Sequence, residues 1–322
     1  MIDINKTISA LDWNKEPRGL YEPIEYMLAS GGKRLRPTLA LIAAEAIVNG
    51  GLINGDAIEH TIPAALALEV FHNFTLVHDD VMDKAELRRG KPAVHVKWND
   101  NTAILSGDQM MIEAYKLLSQ VPAEKLPQVL KWFNEMATGV CEGQQLDVEY
   151  ERMNQVSIDE YMKMIELKTS ILIAYAMKIG GYIAGGTESQ LQALYQYGLH
   201  IGLAFQIQDD VLDVYGDPKT FGKKIGGDIC CNKKTMPLLM ALEIADAESK
   251  AELLQWLMAT DCDQQKIAAV TKIYNRLNVR EDCEAVMEEH TSLALAQLDK
   301  LPVNKATEQL RQLAEQLVTR KS

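Results

Sequence analysis

The chain has 322 residues, a formal net charge of −12, and 47% hydrophobic, 24% charged and 6% aromatic residues. These proportions are typical of a folded globular protein, so they exclude an intrinsically disordered or collagen-like chain. A sequence pI near 5.1 argues against a sequence-independent nucleic-acid binder, whose surface would have to be basic.

The elements predicted along the chain are almost all helical. Apolar segments rich in Ala, Leu and Ile favour buried helices over residues 37–48, 62–83 and 194–215, and no period-two run predicts a strand. Gly and Pro breakers between such segments divide the chain into about ten to thirteen helices. The more polar stretch from about residue 241 onward predicts amphipathic outer helices. We therefore expect one all-α domain over residues 1–322.

The compartment is also constrained by the sequence. No apolar run is long enough to span a bilayer, and the N-terminal segment lacks the apolar core of a signal peptide. The five cysteines are odd in number and show no metal-binding spacing, which indicates reduced thiols. We expect a cytoplasmic protein without stable membrane insertion, and we assign no role to Cys230 and Cys231.

Two DDxxD clusters are the first chemically informative feature. Each follows a long apolar helix, and they comprise Asp79, Asp80 and Asp83 in the first cluster and Asp209, Asp210 and Asp213 in the second. Positions i and i+4 share one helix face, so like carboxylates are stacked at the helix C-terminus, where negative charge is unfavourable. Clustered hard oxygen ligands suit Mg²⁺, which is often completed by substrate phosphates. The clusters therefore predict magnesium sites rather than two solvated helix ends.

Basic segments alternate with these acidic clusters along the chain. They contain Lys33, Arg34 and Arg36, then Arg88 and Arg89, then Lys168 beside Thr169, and finally Lys223, Lys224, Lys233 and Lys234. A Gly-rich turn that carries cations into a helix start is a plausible diphosphate cradle. Carboxylate-bound Mg²⁺ together with Lys and Arg suits a diphosphate substrate, and the apolar helices between them suit an apolar remainder.

With these motifs in view, the sequence resembles the trans-isoprenyl diphosphate synthases, the head-to-tail prenyltransferases. The matching segments run in the family's order from residue 31 to 237: GGKRLRP, HNFTLVHDDVMDKAELRRGKP, GQQLD, LKTS, FQIQDDVLDVYGD and FGKKIGGDICCNKKTMP. The resemblance implies an all-α bundle around a deep central cavity, three Mg²⁺ ions per active site and a homodimer. It also implies isopentenyl diphosphate and an allylic diphosphate as substrates, with no nucleic acid.

The resemblance further implies roles for individual residues. The metal ligands would be Asp79, Asp80, Asp83 and Asp209, with Asp213 in an outer shell. The isopentenyl diphosphate site would contain Lys33, Arg36, His72 and Arg89, and the allylic diphosphate would be held by Arg88, Lys168 and Lys223. Thr169 and Gln206 would lie near the reacting carbons. Gln144 and Asp147 would line the same cavity. Asp228 and Lys233 would belong to a segment that closes over the site. His72 precedes Asp79 by two helical turns, so both can lie on one stripe.

Product length is predicted from the helix that precedes Asp79. One helical turn rises 5.4 Å, close to one isoprene unit, so residues one turn or more before Asp79 would form the floor for the growing tail. Thr75 would let the tail pass, Phe74 would block it, and Phe71 lies one turn deeper. This pattern resembles the geranylgeranyl type, with farnesyl diphosphate or a somewhat longer product as the alternative.

Three other classes of protein are weighed against this prediction. A non-catalytic subunit of a heteromeric prenyl synthase would usually lose one aspartate motif or the basic cradle, and both are intact here. A terpene cyclase would not need the cradle of Lys33, Arg36 and Arg89. A carboxylate-bridged di-iron bundle would need paired Glu and ExxH sequences, and no ExxH pair occurs.

Overall fold

Helices dominate the computed structural model, which describes residues 3–48, 56–216, 225–259 and 264–319. In these ranges the α-helices are α1 Ile4–Ser9, α2 Arg18–Ala29, α3 Leu35–Ile47, α4 Asp56–Met82, α5 Val94–Lys97, α6 Asp100–Leu118, α7 Leu126–Arg152, α8 Ile158–Ile165, α9 Ile171–Ile183, α10 Glu188–Tyr215, α11 Gly227–Cys231, α12 Met236–Ile244, α13 Ala247–Met258, α14 Gln264–Arg276, α15 Val279–Leu298 and α16 Lys305–Thr319. A π-helical turn, Glu166–Ser170, joins α8 to α9, and the two-residue strands β1 Leu87–Arg88 and β2 Lys91–Pro92 pair antiparallel.

The predicted all-α fold is confirmed. The helix count exceeds the expected ten to thirteen because short helices, such as α5 and α11, occupy segments that were expected to be connections. The chain separates into two compact units, so the single domain over residues 1–322 stays a prediction. The first unit comprises residues 1–134, 175–192 and 302–306, and the second comprises 135–174, 193–301 and 307–322.

The first unit is organised around α4, which packs against α3 and α6. Nearly every side of its middle is buried, including the small residues Ala64, Ala65 and Ala67, which let neighbouring helices approach closely. On α9, Gly180 lies directly against the backbone of Ala40 on α3, where a side chain would collide. Helix α3 therefore packs closely on α9 and also on α4, the helix that ends in the first aspartate motif.

The second unit holds α10 and the π-turn together by similar close contacts. Gly202 on α10 packs on Ser170, and Gly143 on α7 packs on the backbone of Lys168, so neither position has room for a side chain. The C-terminal helix α16 is tied to α10 because the Tyr197 hydroxyl donates to the Leu310 carbonyl (2.6 Å) and Gln208 Nε2 donates to that of Leu317 (2.6 Å). The helix that carries the second aspartate motif is therefore anchored on several sides.

A pair of histidines joins α10 to α15 in this unit. His200 Nδ1 and His290 Nδ1 lie 3.0 Å apart, so one ring must donate to the other and only one Nδ1 can carry a proton. Burial lowers the pKa of both rings, the positive charge of His290 lowers that of His200 further, and Glu166 and Glu289 act in the opposite direction. The pair therefore favours the uncharged form in the folded protein.

This pair predicts a pH-dependent stability. The pKa of each histidine is lower in the folded protein than in the unfolded chain, so below about pH 6.5 the unfolded chain binds more protons. The pair therefore makes its full contribution to the free energy of unfolding above about pH 6.5, and this contribution decreases as the pH falls further. We expect His290→Asn to flatten the fall in unfolding free energy between about pH 6.5 and 5. Urea titrations at several pH values would measure it, with the exposed His60→Gln as control. Equal slopes in wild type and His290→Asn would contradict the prediction.

The cysteines differ in part from the expectation. Cys141, Cys231 and Cys283 are free thiols, whereas Cys230 is disulfide-bonded. The expected reduced state is therefore wrong for Cys230, because thiol pairing depends on distances in the fold that sequence spacing does not give. Within the described ranges, no helix is both long enough and apolar enough to span a bilayer.

Candidate active site

The first aspartate motif lies at the C-terminal end of α4. Asp79 and Asp80 are in the last turn, and Asp83 follows the helix while its backbone N–H still donates to the Asp79 carbonyl at 2.9 Å. Asp80 is buried, Asp79 is half-buried and Asp83 is exposed. The helical register therefore extends through all three carboxylates, which differ sharply in their access to solvent.

The β1–β2 hairpin carries two consecutive arginines, Arg88 at the end of β1 and Arg89 in the turn. Arg89 and Gly90 both have positive φ (53° and 73°), the conformation of a two-residue hairpin turn. Arg88 returns to the motif, where its Nε and Nη2 donate to Asp80 Oδ1 at 2.9 and 2.5 Å, and Nη2 lies 3.7 Å from Asp79 Oδ2. Burial alone would lower the pKa of Arg88, but Asp80, Asp79 and Asp83 raise it overall.

Arg89 belongs to a buried network that sequence reasoning did not identify. Its Nη1 donates to the Gly31 carbonyl and lies 3.3 Å from Asn73 Oδ1, while Asn73 Nδ2 donates to Glu69 Oε1 at 2.9 Å. Glu69 also pairs with Arg34 Nη1 at 2.6 Å, and both side chains are almost fully buried. The available signal was a lone Glu in the apolar run ALALEVF, which demands a buried cation as partner.

His72 is a neutral acceptor within this cationic cluster. Arg36 Nη1 lies 3.1 Å from His72 Nε2, and since a guanidinium only donates, Nε2 accepts and the ring proton is on Nδ1. Burial lowers the pKa of His72 well below its ordinary value, and Arg36 and Arg89 lower it further. Burial also lowers the pKa of Arg89, with Arg34 adding to the effect. This concentration of positive charge suits an anion, while Lys33 lies exposed nearby in the chain.

The carboxylates of the first motif fit a magnesium ion that is shared with phosphate. Asp80 Oδ2 is buried and accepts no hydrogen bond from the described residues, although its partner oxygen is held by Arg88. A buried acceptor without a donor is costly unless it meets a cation. Among the described residues no group of three His, Cys, Asp or Glu forms a complete metal cage. Mg²⁺ needs only one or two carboxylates when water and phosphate supply the rest.

In the second unit, the π-turn presents Lys168 to Asp147. Lys168 Nζ donates to Asp147 Oδ2 at 2.6 Å, and Lys233 Nζ lies 3.5 Å from the same oxygen. Burial would raise the pKa of Asp147, but Lys233 and Lys168 outweigh it and lower the pKa. The sequence indicated a lysine in an apolar helix but not the extra residue of the π-turn, a feature common at functional sites.

A second network lies beside this ion pair. The Thr169 hydroxyl lies 3.0 Å from Gln206 Oε1, and Gln206 Nε2 donates to Asp210 Oδ1 at 3.0 Å. Burial raises the pKa of Asp210 to about 7 and Asp228 adds to the effect, against hydrogen bonds from Tyr161, Met236 and Gln206. Thr169, Gln206 and Asp210 line a pocket of the second unit together with Lys168 and Lys233.

The other aspartates of the second motif differ in their surroundings. Asp209 is half-buried, whereas Asp213 is buried and its Oδ2 accepts the backbone N–H of Asp228 at 3.0 Å. The Asp228 carbonyl in turn accepts the N–H of Lys233 at 2.9 Å. Asp213 therefore positions the segment that carries Lys233. Lys223 and Lys224 lie outside the described residues.

The predicted floor residues belong to an aromatic cluster of the first unit. Phe74 is half-buried, with ring centroids 5.5 Å from Phe71 and 4.8 Å from His78, and Phe71 is fully buried against Phe133 at 5.3 Å. The Thr75 hydroxyl donates to the His72 carbonyl at 2.8 Å. Thr75 therefore satisfies its polar group within the helix, whereas Phe74 contacts the more deeply buried Phe71.

Comparison with known proteins decides the family. The polyprenyl synthetase family model matches residues 17–276. The chain belongs to the polyprenyl synthetase family. It is therefore a trans-prenyltransferase, and the predicted family and enzyme class are confirmed.

Individual relatives agree with this assignment. The chain is 38% identical over 305 residues to a short chain isoprenyl diphosphate synthase of Methanothermobacter thermautotrophicus, covering 94% of this chain and 91% of the relative. It is 36% identical to a geranylfarnesyl diphosphate synthase of Natronomonas pharaonis, covering 98% and 94%. A crystal structure of a geranylgeranyl pyrophosphate synthase superposes with a TM-score of 0.90 at 42% identity, covering 99% of this chain and 96% of that one.

Proposed function

We propose that this trans-prenyltransferase condenses isopentenyl diphosphate with an allylic diphosphate (dimethylallyl, geranyl or farnesyl) and releases diphosphate, with geranylgeranyl diphosphate as product. The observation that carries the proposal is that each unit combines an aspartate motif with its own cations. In the first, Arg88 holds Asp80 beside Arg36 and Arg89. In the second, Lys168 and Lys233 meet at Asp147 in the unit that contains Asp209. A reaction that joins two diphosphates needs cations of this kind to bind both substrates.

The chain's own residues have separate tasks in this reaction. Lys33, Arg36 and Arg89 would bind isopentenyl diphosphate, and neutral His72 would accept a hydrogen bond without opposing the anion's charge. Arg88, Lys168 and Lys223 would bind the allylic diphosphate and stabilise the charge that develops as its C–O bond breaks. The isopentenyl double bond then attacks the allylic carbon, which requires the two carbons to be held about 3 to 3.5 Å apart.

The cation and the final proton need different groups. Thr169 and Gln206 offer oxygen lone pairs that stabilise a carbocation without capturing it. No side chain of the motifs is assigned as a dedicated base, so the released diphosphate accepts the proton that leaves after the carbon–carbon bond forms. Phe74 and Phe71, whose ring centroids lie 5.5 Å apart, would form the floor that limits the tail to twenty carbons.

We also propose a metal and an assembly. Asp79, Asp80, Asp83 and Asp209 would hold three Mg²⁺ ions, with Asp213 in an outer shell, and the ions would neutralise the departing diphosphate when bound. Asp80 Oδ2, which accepts no hydrogen bond within the described part of the chain, supports this assignment. The family resemblance supports a homodimer, and the cytoplasm stays the proposed compartment.

The test is a direct assay of product formation. Purified protein is incubated with Mg²⁺, labelled isopentenyl diphosphate and each of the three allylic starters, and the dephosphorylated alcohols are separated by chromatography. We expect geranylgeraniol from every starter, with no incorporation after chelation of the metal. Farnesol or a longer alcohol would replace the proposed product, and a cyclic hydrocarbon or no incorporation would refute the proposed reaction.

A further inference from the structure

Asp210 occupies the centre of the second aspartate motif, and its carboxylate already accepts three hydrogen bonds from the protein. Oδ2 accepts the Tyr161 hydroxyl at 2.5 Å and the Met236 backbone N–H at 3.1 Å, and Oδ1 accepts Gln206 Nε2 at 3.0 Å. The side chain is buried, with 4% of the residue exposed. Three donors in a buried setting satisfy this carboxylate and hold it in one orientation.

That orientation fixes which way the Gln206 amide faces. Gln206 Nε2 donates to Asp210 Oδ1, and the ionised carboxylate can only accept, so the amide oxygen points the other way. Gln206 Oε1 then faces Thr169 Oγ1 at 3.0 Å, and the Thr169 hydroxyl must donate to it. The Thr169 proton is therefore directed to Gln206, while the remaining lone pairs of both oxygens stay available.

Tyr161 is the other end of this chain of hydrogen bonds. It lies on α8, is 1% exposed, and its hydroxyl donates to Asp210. Burial raises the pKa of its hydroxyl well above the ordinary value, with Asp210 adding to the effect, so it stays a donor across the working pH range. Tyr161, Gln206 and Thr169 line one pocket of the second unit with Lys168.

We propose that Tyr161 is a positioning residue that acts through Asp210 to lock the Gln206 amide, so that Thr169 and Gln206 present oxygen lone pairs rather than donor protons to the allylic cation. The inference rests on the proposed function and adds a residue to it. An amide rotated by 180° would turn its NH₂ towards Thr169 and the pocket, where a donor dipole would oppose the positive charge. The lock should therefore affect the chemical step more than substrate binding.

The experiment compares two buried tyrosines. Tyr161→Phe removes one hydroxyl and keeps the ring, and Tyr197→Phe does the same at a fully buried tyrosine whose hydroxyl donates to the Leu310 carbonyl. Both variants should lower the unfolding temperature. Only Tyr161→Phe should lower kcat, by about tenfold, while KM for either substrate changes less than about twofold. Equal kcat in both variants would show that Tyr161 is merely structural.

A double-mutant cycle separates positioning from packing. Thr169→Val removes the end of the chain, so Tyr161→Phe should reduce kcat little further in that background. Multiplicative losses would overturn the inference. Should Tyr161→Phe not fold, Asp210→Asn interrupts the same chain without removing the Gln206 oxygen and should likewise add little to Thr169→Val. Wild-type activity is measured alongside, because an inactive wild type refutes the proposed reaction and this inference with it, whereas an active wild type with a normal Tyr161→Phe refutes only the inference.

Discussion

Asp80→Asn is expected to abolish most of the activity while leaving the fold intact. The substitution keeps the side-chain shape but places an amide at Oδ2, which is buried and accepts no hydrogen bond from the described residues, and it removes the closest of the carboxylates that pair with Arg88. We expect kcat to fall about 10²- to 10³-fold, the usual effect of removing one electrostatic contact to a developing charge. The Mg²⁺ concentration for half-maximal rate should rise as well.

The matched control for this variant is Asp100→Asn, which neutralises an exposed aspartate of the same unit. It should leave kcat and the Mg²⁺ response near those of wild type. Initial rates across a Mg²⁺ titration, with circular dichroism to check folding, give the comparison. An Asp80→Asn enzyme that is folded and keeps more than a tenth of the wild-type kcat would rule out the role proposed for this carboxylate.

The sequence predicted the helices and the two aspartate motifs because these depend on local pattern. DDxxD after an apolar helix places carboxylates at a helix end whatever the rest of the chain does, and the structure has Asp79 and Asp80 in the last turn of α4. Arg88 follows the first motif within a few residues, so the sequence placed a cation near Asp80, but it did not predict the hairpin that carries this arginine.

Roles that depend on tertiary contacts could not be predicted. Within one motif, Asp209 is half-buried, Asp210 is held by three protein donors and Asp213 accepts the Asp228 backbone, although the sequence gives them equal standing. Their differences come from Tyr161 and Asp228, which lie 49 and 15 residues away from their partners. The role of Glu69 could not be predicted for the same reason, because its partner Arg34 lies 35 residues earlier in the chain.

Phe74→Ala is expected to lengthen the product. Phe74 precedes Asp79 by five residues, about 7.5 Å along the helix, and its half-buried ring contacts the fully buried Phe71. Removing the ring opens space roughly one isoprene unit deep, so the tail should advance until it meets Phe71. We expect the main product to shift from twenty to twenty-five carbons or more, measured by chromatography of the dephosphorylated alcohols.

The order of the two rings gives the sharper form of this prediction. Phe71→Leu alone should leave product length unchanged because Phe74 still stands in front of it, although it should cost stability through its contact with Phe133. The double variant should exceed Phe74→Ala in product length, since the deeper block is then reduced as well. If Phe71→Leu alone lengthens the product, or if Phe74→Ala does not, the floor is formed elsewhere. Under this hypothesis the two rings, whose centroids lie 5.5 Å apart, act in order, so that Phe71 affects product length only after Phe74 has been removed.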